Sequence, residues 1–172
     1  MYASQLERVM RTDSIGKRQF RGVFAADRLP RTVPQYPSSY IVNTDPASKP
    51  GTHWVAFYFP NKDQGEFFDS YGQTPEFYHR AFENFLNHNS YRWTYNRIAL
   101  QSLTSNACGQ YCLWYLLHRS RGISIARTLG YFRKDKDWND RMVKTFIYNR
   151  FHEHLRQKTC KPSQMCVSVY SK

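Results

Sequence analysis

Apolar and polar residues change their spacing several times along this chain, and each change marks an element. Leu6, Val9 and Met10 recur at helical spacing, which predicts a short helix over residues 3–12. Residues 13–39 lose the pattern and gather Pro and Arg, so they read as a connection. A short strand follows at 40–43, then a turn-rich stretch through Pro46, Pro50 and Gly51. Residues 53–59 are aromatic and β-branched and close on Pro60, which makes them the strongest strand of the sequence. After a short turn at 61–65, residues 66–69 form a second strand, and the turn length makes the pair a hairpin.

Further on, residues 75–88 predict a helix with Phe77, Phe82, Phe85 and Leu86 as its buried stripe. Residues 95–100 predict another strand, and 108–118 a compact apolar helix. The clearest amphipathic helix spans 138–155, where Trp138, Met142, Val143, Phe146, Ile147, Phe151 and Leu155 fall on one face. The tail from Gln157 to Lys172 is weakly patterned. No repeat, low-complexity stretch or linker divides the 172 residues, so 1–172 reads as a single domain.

Composition rules out a disordered chain. Apolar residues make up 41% and aromatics 17%, with 12 Phe, 13 Tyr and 4 Trp to build a core. Lys and Arg exceed Asp and Glu by 25 to 13, giving a formal net charge of +12. Such an excess speeds encounter with polyanions, although no recognised nucleic-acid-reading motif accompanies it. No apolar run reaches membrane-spanning length, and Met1 to Gln5 lack a signal-peptide core. A reducing, intracellular setting is therefore expected. The four cysteines, at 108, 112, 160 and 166, then read as free thiols rather than a disulfide framework.

Cys108 has the most unusual surroundings. The polar stretch 102–106 runs into Asn106-Ala107-Cys108-Gly109 and at once into the apolar helix. A cysteine there faces unsatisfied backbone N–H groups and the positive end of the helix dipole, and both favour the nucleophilic thiolate. Gly109 has no Cβ, so a substrate backbone is expected to approach it closely. A thiolate enzyme also needs a base and a group that orients the base. His53 opens the strongest strand and Asp69 closes its hairpin partner. The other histidines, at 79, 88, 118, 152 and 154, sit on predicted helices without such an acidic partner. Gln101, at the end of a predicted strand seven residues before Cys108, is placed to donate to a developing oxyanion together with the Cys108 N–H. Cys112, one helical turn on, is expected to pack inward. Trp54 faces away from His53 and reads as a packing residue.

These motifs resemble the adenovirus protease (adenain) family. Thr52-His53-Trp54-Val55-Ala56-Phe57, then Phe67-Phe68-Asp69-Ser70-Tyr71-Gly72, then Gln101 to Gly109 follow its order and spacing. Ile41-Val42-Asn43-Thr44 and Asp27-Arg28-Leu29-Pro30 add to the match, which spans roughly residues 5 to 120. The chain is most similar in size to the compact forms in Polinton/Maverick elements and adintoviruses. The resemblance implies an α+β, papain-like, adenain-like fold: a central mixed sheet flanked by helices, with the nucleophile at the N-terminus of a buried helix. It further implies a cysteine endopeptidase with Cys108 as nucleophile, His53 as base, Asp69 as orienter and Gln101 as oxyanion donor. Its substrates would be viral structural precursors, cut after small residues such as Gly during virion maturation. Its location would be the virion and the host nucleus or cytoplasm. Asp69 stands where adenovirus enzymes have Glu.

One departure bears on activation. Adenovirus proteases join an activating viral peptide through a cysteine upstream of the glutamine, whereas this chain has Ser90, Tyr91 and Arg92 in that region and no cysteine before Cys108. Activation by DNA or by a noncovalently held viral peptide is expected instead, with no metal, no organic cofactor and no membrane partner. One enzyme alternative, one non-catalytic alternative and one metal site stay open: a SUMO/ubiquitin-like protein protease, a basic nucleic-acid-binding protein, and a zinc site from His152, His154, Cys160 and Cys166. The glutamine stands one residue closer to the cysteine in most SUMO/ubiquitin-like proteases. The zinc spacing fits no common structural pattern.

Overall fold

A computed structural model describes residues 1–156 of the chain. Five strands form one sheet in sequence order: β1 (Phe20–Phe24), β2 (Ser38–Asn43), β3 (Trp54–Asn61), β4 (Gln64–Phe68) and β5 (Arg92–Tyr95). The outer pairs, β1–β2 and β4–β5, are parallel, and the inner pairs are antiparallel, so the sheet is mixed. Among the described residues the α-helices are α1 (Ala3–Thr12), α2 (Gly16–Gln19), α3 (Pro75–Tyr78), α4 (Arg80–Asn89), α5 (Cys108–Arg119), α6 (Ile125–Leu129) and α7 (Lys136–Arg156), with a 3₁₀ turn at Ala26–Arg28.

Strand periodicity divides the core in two. Val55, Phe57 and Phe59 of β3 face one side, where they meet Phe82, Phe85 and Leu86 of α4 in a cluster of edge-to-face rings. Ala56, Tyr58, Ile41 and Phe68 face the other side and pack on α5, with α1 and α7 outside it. Phe68 stacks flat on Tyr115 of α5 at 4.2 Å between ring centroids. Because α5 is covered by the sheet in front and by helices behind, it is apolar almost all round.

Several boundaries differ from those the spacing predicts. Residues 13–39 include a helical turn and β1, a strand too short and too interrupted by Arg21 and Gly22 to show alternation. The helix expected over 75–88 is two helices, because His79 adopts an extended conformation between them and its Nδ1 accepts the Ala81 N–H. Phe77, expected in the buried stripe, is consequently 66% exposed. The strand expected over 95–100 lies instead at Arg92–Tyr95. Beyond it, the main chain of Leu100 and Gln101 donates to Ser70 O rather than to a neighbouring strand. Helix α6 has five residues, too few to show a period.

Candidate active site

The site is assembled from three backbone segments. His53 immediately precedes β3, Asp69 immediately follows β4, and antiparallel pairing of Ala56 with Phe68 brings these two ends together. Helix α5 packs across the same end of β3 and presents Cys108 at its first residue, with no side chain capping it. His53, Asp69 and Cys108, the three residues singled out in the sequence, therefore meet, and all three are buried.

The imidazole lies between the other two groups. His53 Nε2 is 2.6 Å from Asp69 Oδ1, and His53 is also hydrogen-bonded to Cys108. With Nε2 engaged by the carboxylate, Nδ1 is the nitrogen left for sulfur. Burial opposes charge on both partners, but their mutual attraction outweighs it. The His53 pKa is raised to about 9 against that burial, by its bonds to Asp69 and Cys108. Burial likewise pushes the Cys108 thiol up, yet the His53 bond and charge, and the Trp54 main-chain N–H, bring it below the ordinary thiol value. Both shifts act in the direction of a thiolate–imidazolium pair. Cys112 is the opposite case: burial first and then the Cys108 charge hold its pKa well above the usual value, and its S–H donates to Trp54 O at 3.3 Å.

Asp69 is fixed on every side. Its Oδ2 accepts the Tyr78 hydroxyl at 3.0 Å and the Gln73 N–H at 2.9 Å. Its main-chain N–H donates to Asn96 Oδ1, and its carbonyl accepts from Asn96 Nδ2. A turn closes behind it, with Gly72 N bonded to Asp69 O. Gly72 has φ +71, and a Cβ there would lie 2.7 Å from the Ile98 carbonyl carbon, so conformation and space both call for glycine. The rings of Tyr71 and Tyr78 stack on His53, at centroid distances of 4.8 and 5.4 Å.

Gln101 is also buried in this cluster, bonded to Ser70, Tyr71 and Ser105. Gly109 plays a different part from the one expected of it. Leu6 and Met1 occupy the space beside it, and a Cβ would lie 3.1 Å from Leu6 Cδ2, so the missing side chain lets α1 close on α5 rather than admitting substrate. Trp54 donates its indole N–H to Met1 O and packs against the α5 side of the core.

Sequence reasoning passed over Tyr78 and Asn96. Tyr78 falls inside a helical stripe that the structure breaks, and Asn96 falls inside a predicted strand. Among the described residues no three His, Cys, Asp or Glu side chains are grouped to hold a metal ion. His152 stacks on Tyr148, whereas Cys160 and Cys166 of the candidate zinc site lie outside the described residues. Among the described residues, no helix is long and apolar enough to cross a membrane.

Fold and site together define a papain-like cysteine peptidase. Residues 20–122, more than half of the chain, match the adenovirus endoprotease family, and the chain belongs to that family. Among solved structures it is similar to the ASFV pS273R protease, with 21% identity and a TM-score of 0.40 over 70% of this chain and 45% of that one. The chain thus spans less than half of that protease's length. It is also similar in fold to the central domain of the uncharacterized Lpg1148 protein from Legionella pneumophila. There the TM-score is 0.52 at 12% identity, over 91% of this chain and 98% of the other. Curated proteins returned no match.

Proposed function

We propose that the protein is a viral or virus-like-element endopeptidase that cuts capsid or core precursor proteins during virion maturation, at sites containing Gly. Cys108 is the nucleophile, His53 the base and Asp69 the group that orients it. The observation that supports this most is the 2.6 Å contact of His53 Nε2 with a fully buried Asp69 carboxylate, with Cys108 on the other side of the ring. The Cys108 thiolate attacks the scissile carbonyl carbon, and a C–S bond forms as the carbonyl electron pair moves to oxygen. When that pair returns, the C–N bond breaks and the amine leaves with the proton of the His53 imidazolium. Water then adds to the acyl carbon as His53 takes its proton, and the C–S bond breaks to release the acid and restore the Cys108 thiolate beside the His53 imidazolium. Gln101 and the Cys108 N–H belong to the pocket around the carbonyl oxygen.

DNA, or a viral peptide held without a disulfide, is the proposed activator, and the net charge of +12 favours the first. The proposed places of action are the virion and the host nucleus or cytoplasm.

The test is labelling with a thiol-directed peptide probe ending in Gly-Gly. Wild type should be modified at Cys108 and His53→Ala should not; labelling that is indifferent to His53 would remove the catalytic pair. A parallel panel of folded ubiquitin-like fusions and Gly-Gly peptides separates the SUMO/ubiquitin-like alternative. Rapid cleavage confined to the folded fusions would favour that alternative.

A further inference from the structure

The polar groups beside Cys108 form a chain of hydrogen bonds whose direction is forced. Ser70 Oγ lies 2.6 Å from Gln101 Oε1, an atom that can only accept, so the serine donates. The amide NH2 of Gln101 can only donate. One of its hydrogens goes to Ser105 O at 2.8 Å, and the other to Tyr71 Oη at 3.3 Å. Tyr71 Oη is therefore an acceptor in that bond and keeps its own hydrogen free. Among the described residues that hydrogen has no acceptor. The Tyr71 ring meanwhile lies against His53, 4.8 Å between centroids, and close enough to the Cys108 sulfur for its charge to act on the phenol. The side chain is half-buried, at the mouth of the site rather than in the core.

We propose that Tyr71 is a catalytic residue whose phenolic O–H donates to the oxygen of the scissile carbonyl as negative charge develops there. The inference rests on the cysteine-peptidase reading above and refines its oxyanion pocket. Both N–H groups of Gln101 are engaged, so Gln101 acts through Tyr71. By donating to Oη it makes the phenol a stronger donor, and Ser70 fixes the amide the right way round. No proton is transferred in this step. The hydrogen bond forms as the carbonyl pair moves to oxygen and weakens as that pair returns on C–N cleavage. Burial and then the Cys108 charge raise the phenol's pKa, so the hydrogen is retained over the working pH range.

Tyr71→Phe tests this, because it keeps the ring on His53 and removes only the hydroxyl. Two reactions are compared: hydrolysis of a fluorogenic peptide amide ending in Gly-Gly, and alkylation of Cys108 by iodoacetamide, which forms no oxyanion. The expected result is a loss of about 10²-fold in kcat with KM nearly unchanged. The iodoacetamide rate and its pH midpoint should stay at wild-type values. Adding Gln101→Ala to Tyr71→Phe should lower kcat little further, whereas Gln101→Ala alone should lower it clearly. Wild-type kcat in Tyr71→Phe would overturn the proposal and return the direct donor role to Gln101. An equal fall in hydrolysis and alkylation would also overturn it, assigning Tyr71 to the thiolate–imidazolium pair. If wild type shows neither hydrolysis nor His53-dependent alkylation, the peptidase reading fails and this inference with it.

Discussion

The side-chain amide of Asn96 closes on the main chain of Asp69 from both directions, accepting its N–H at 2.9 Å and donating to its carbonyl at 2.6 Å. A residue on the segment that leads to the nucleophile thus holds the backbone of the residue that orients the base. Asn96→Ala would leave the buried Asp69 N–H without a partner, at about 1–3 kcal/mol, and would leave the Asp69 carbonyl with the Gly72 N–H alone. The expected outcome is a lower midpoint in urea denaturation and slower labelling of Cys108. An unchanged midpoint would show that the clip contributes nothing to stability.

Tyr78 reaches the same carboxylate from the short helix before the break at His79. Tyr78→Phe keeps the ring on His53 and removes one of the hydrogen bonds at Asp69 Oδ2, leaving the Gln73 N–H. A hydrogen bond to a charged group is worth about 1.5 kcal/mol or more, so kcat/KM should fall by roughly tenfold. Steady-state kinetics of the variant checks this, and a rate equal to wild type would assign Tyr78 to packing alone.

The pH profile follows from the two displaced titrations. Cys108 titrates below the ordinary thiol value, so alkylation should rise on the acid side of the midpoint shown by an unperturbed cysteine. His53 keeps its proton until about pH 9, and the leaving amine needs that proton. Hydrolysis should therefore be bell-shaped, falling as pH rises through about 9, while alkylation levels off without falling. Asp69 raises the His53 pKa, so Asp69→Asn should move the alkaline limb of hydrolysis to lower pH. A limb that does not move would mean it belongs to some other group.

Away from the site, Arg119 at the end of α5 grips Glu66 of β4 through two bonds of 2.6 and 2.7 Å, and Tyr115 donates to the same carboxylate. Both charged side chains are buried. Arg119→Met should destabilise the fold by about 3–5 kcal/mol, since it leaves a buried carboxylate without its counter-charge. The double variant with Glu66→Gln should recover part of the loss. Denaturant melts of the single and double variants measure the difference, and equal melts would argue against the ion pair as the cause.

If DNA is the activator, its effect will be electrostatic. Duplex DNA should raise the hydrolysis rate near 50 mM salt, and the gain should fade toward about 200 mM as counterions compete. Stimulation that persists at high salt, or never appears, would count against a DNA cofactor.

The three central residues were legible because each lies at a transition the chain displays openly. His53 and Asp69 stand at the two ends of a hairpin of alternating residues, and Cys108 stands where a polar stretch meets an apolar helix. The aromatic, two-faced sheet was legible for the same reason. What escaped was everything held by side-chain bonds to distant main chain. Asn96 and Ser70 act on residues 27 and 31 positions away, and no local spacing records that. The split at His79 is hidden because Phe77 stands eight residues, about two helical turns, before Phe85, although the backbone between them is not one helix. Gly109 was misread because its neighbours, Met1 and Leu6, belong to the opposite end of the sequence.

The main chain of Trp54 touches both cysteines of α5 with opposite polarity, giving a hydrogen bond to Cys108 and taking one from Cys112. One residue thus favours the anion at the first sulfur and retains the proton at the second. In chemical terms the helix contains its own unreactive reference thiol, four residues from the reactive one. The ratio of label on the two cysteines then reports the intactness of the site without any substrate. It should be high in the native protein and approach unity once the chain is unfolded.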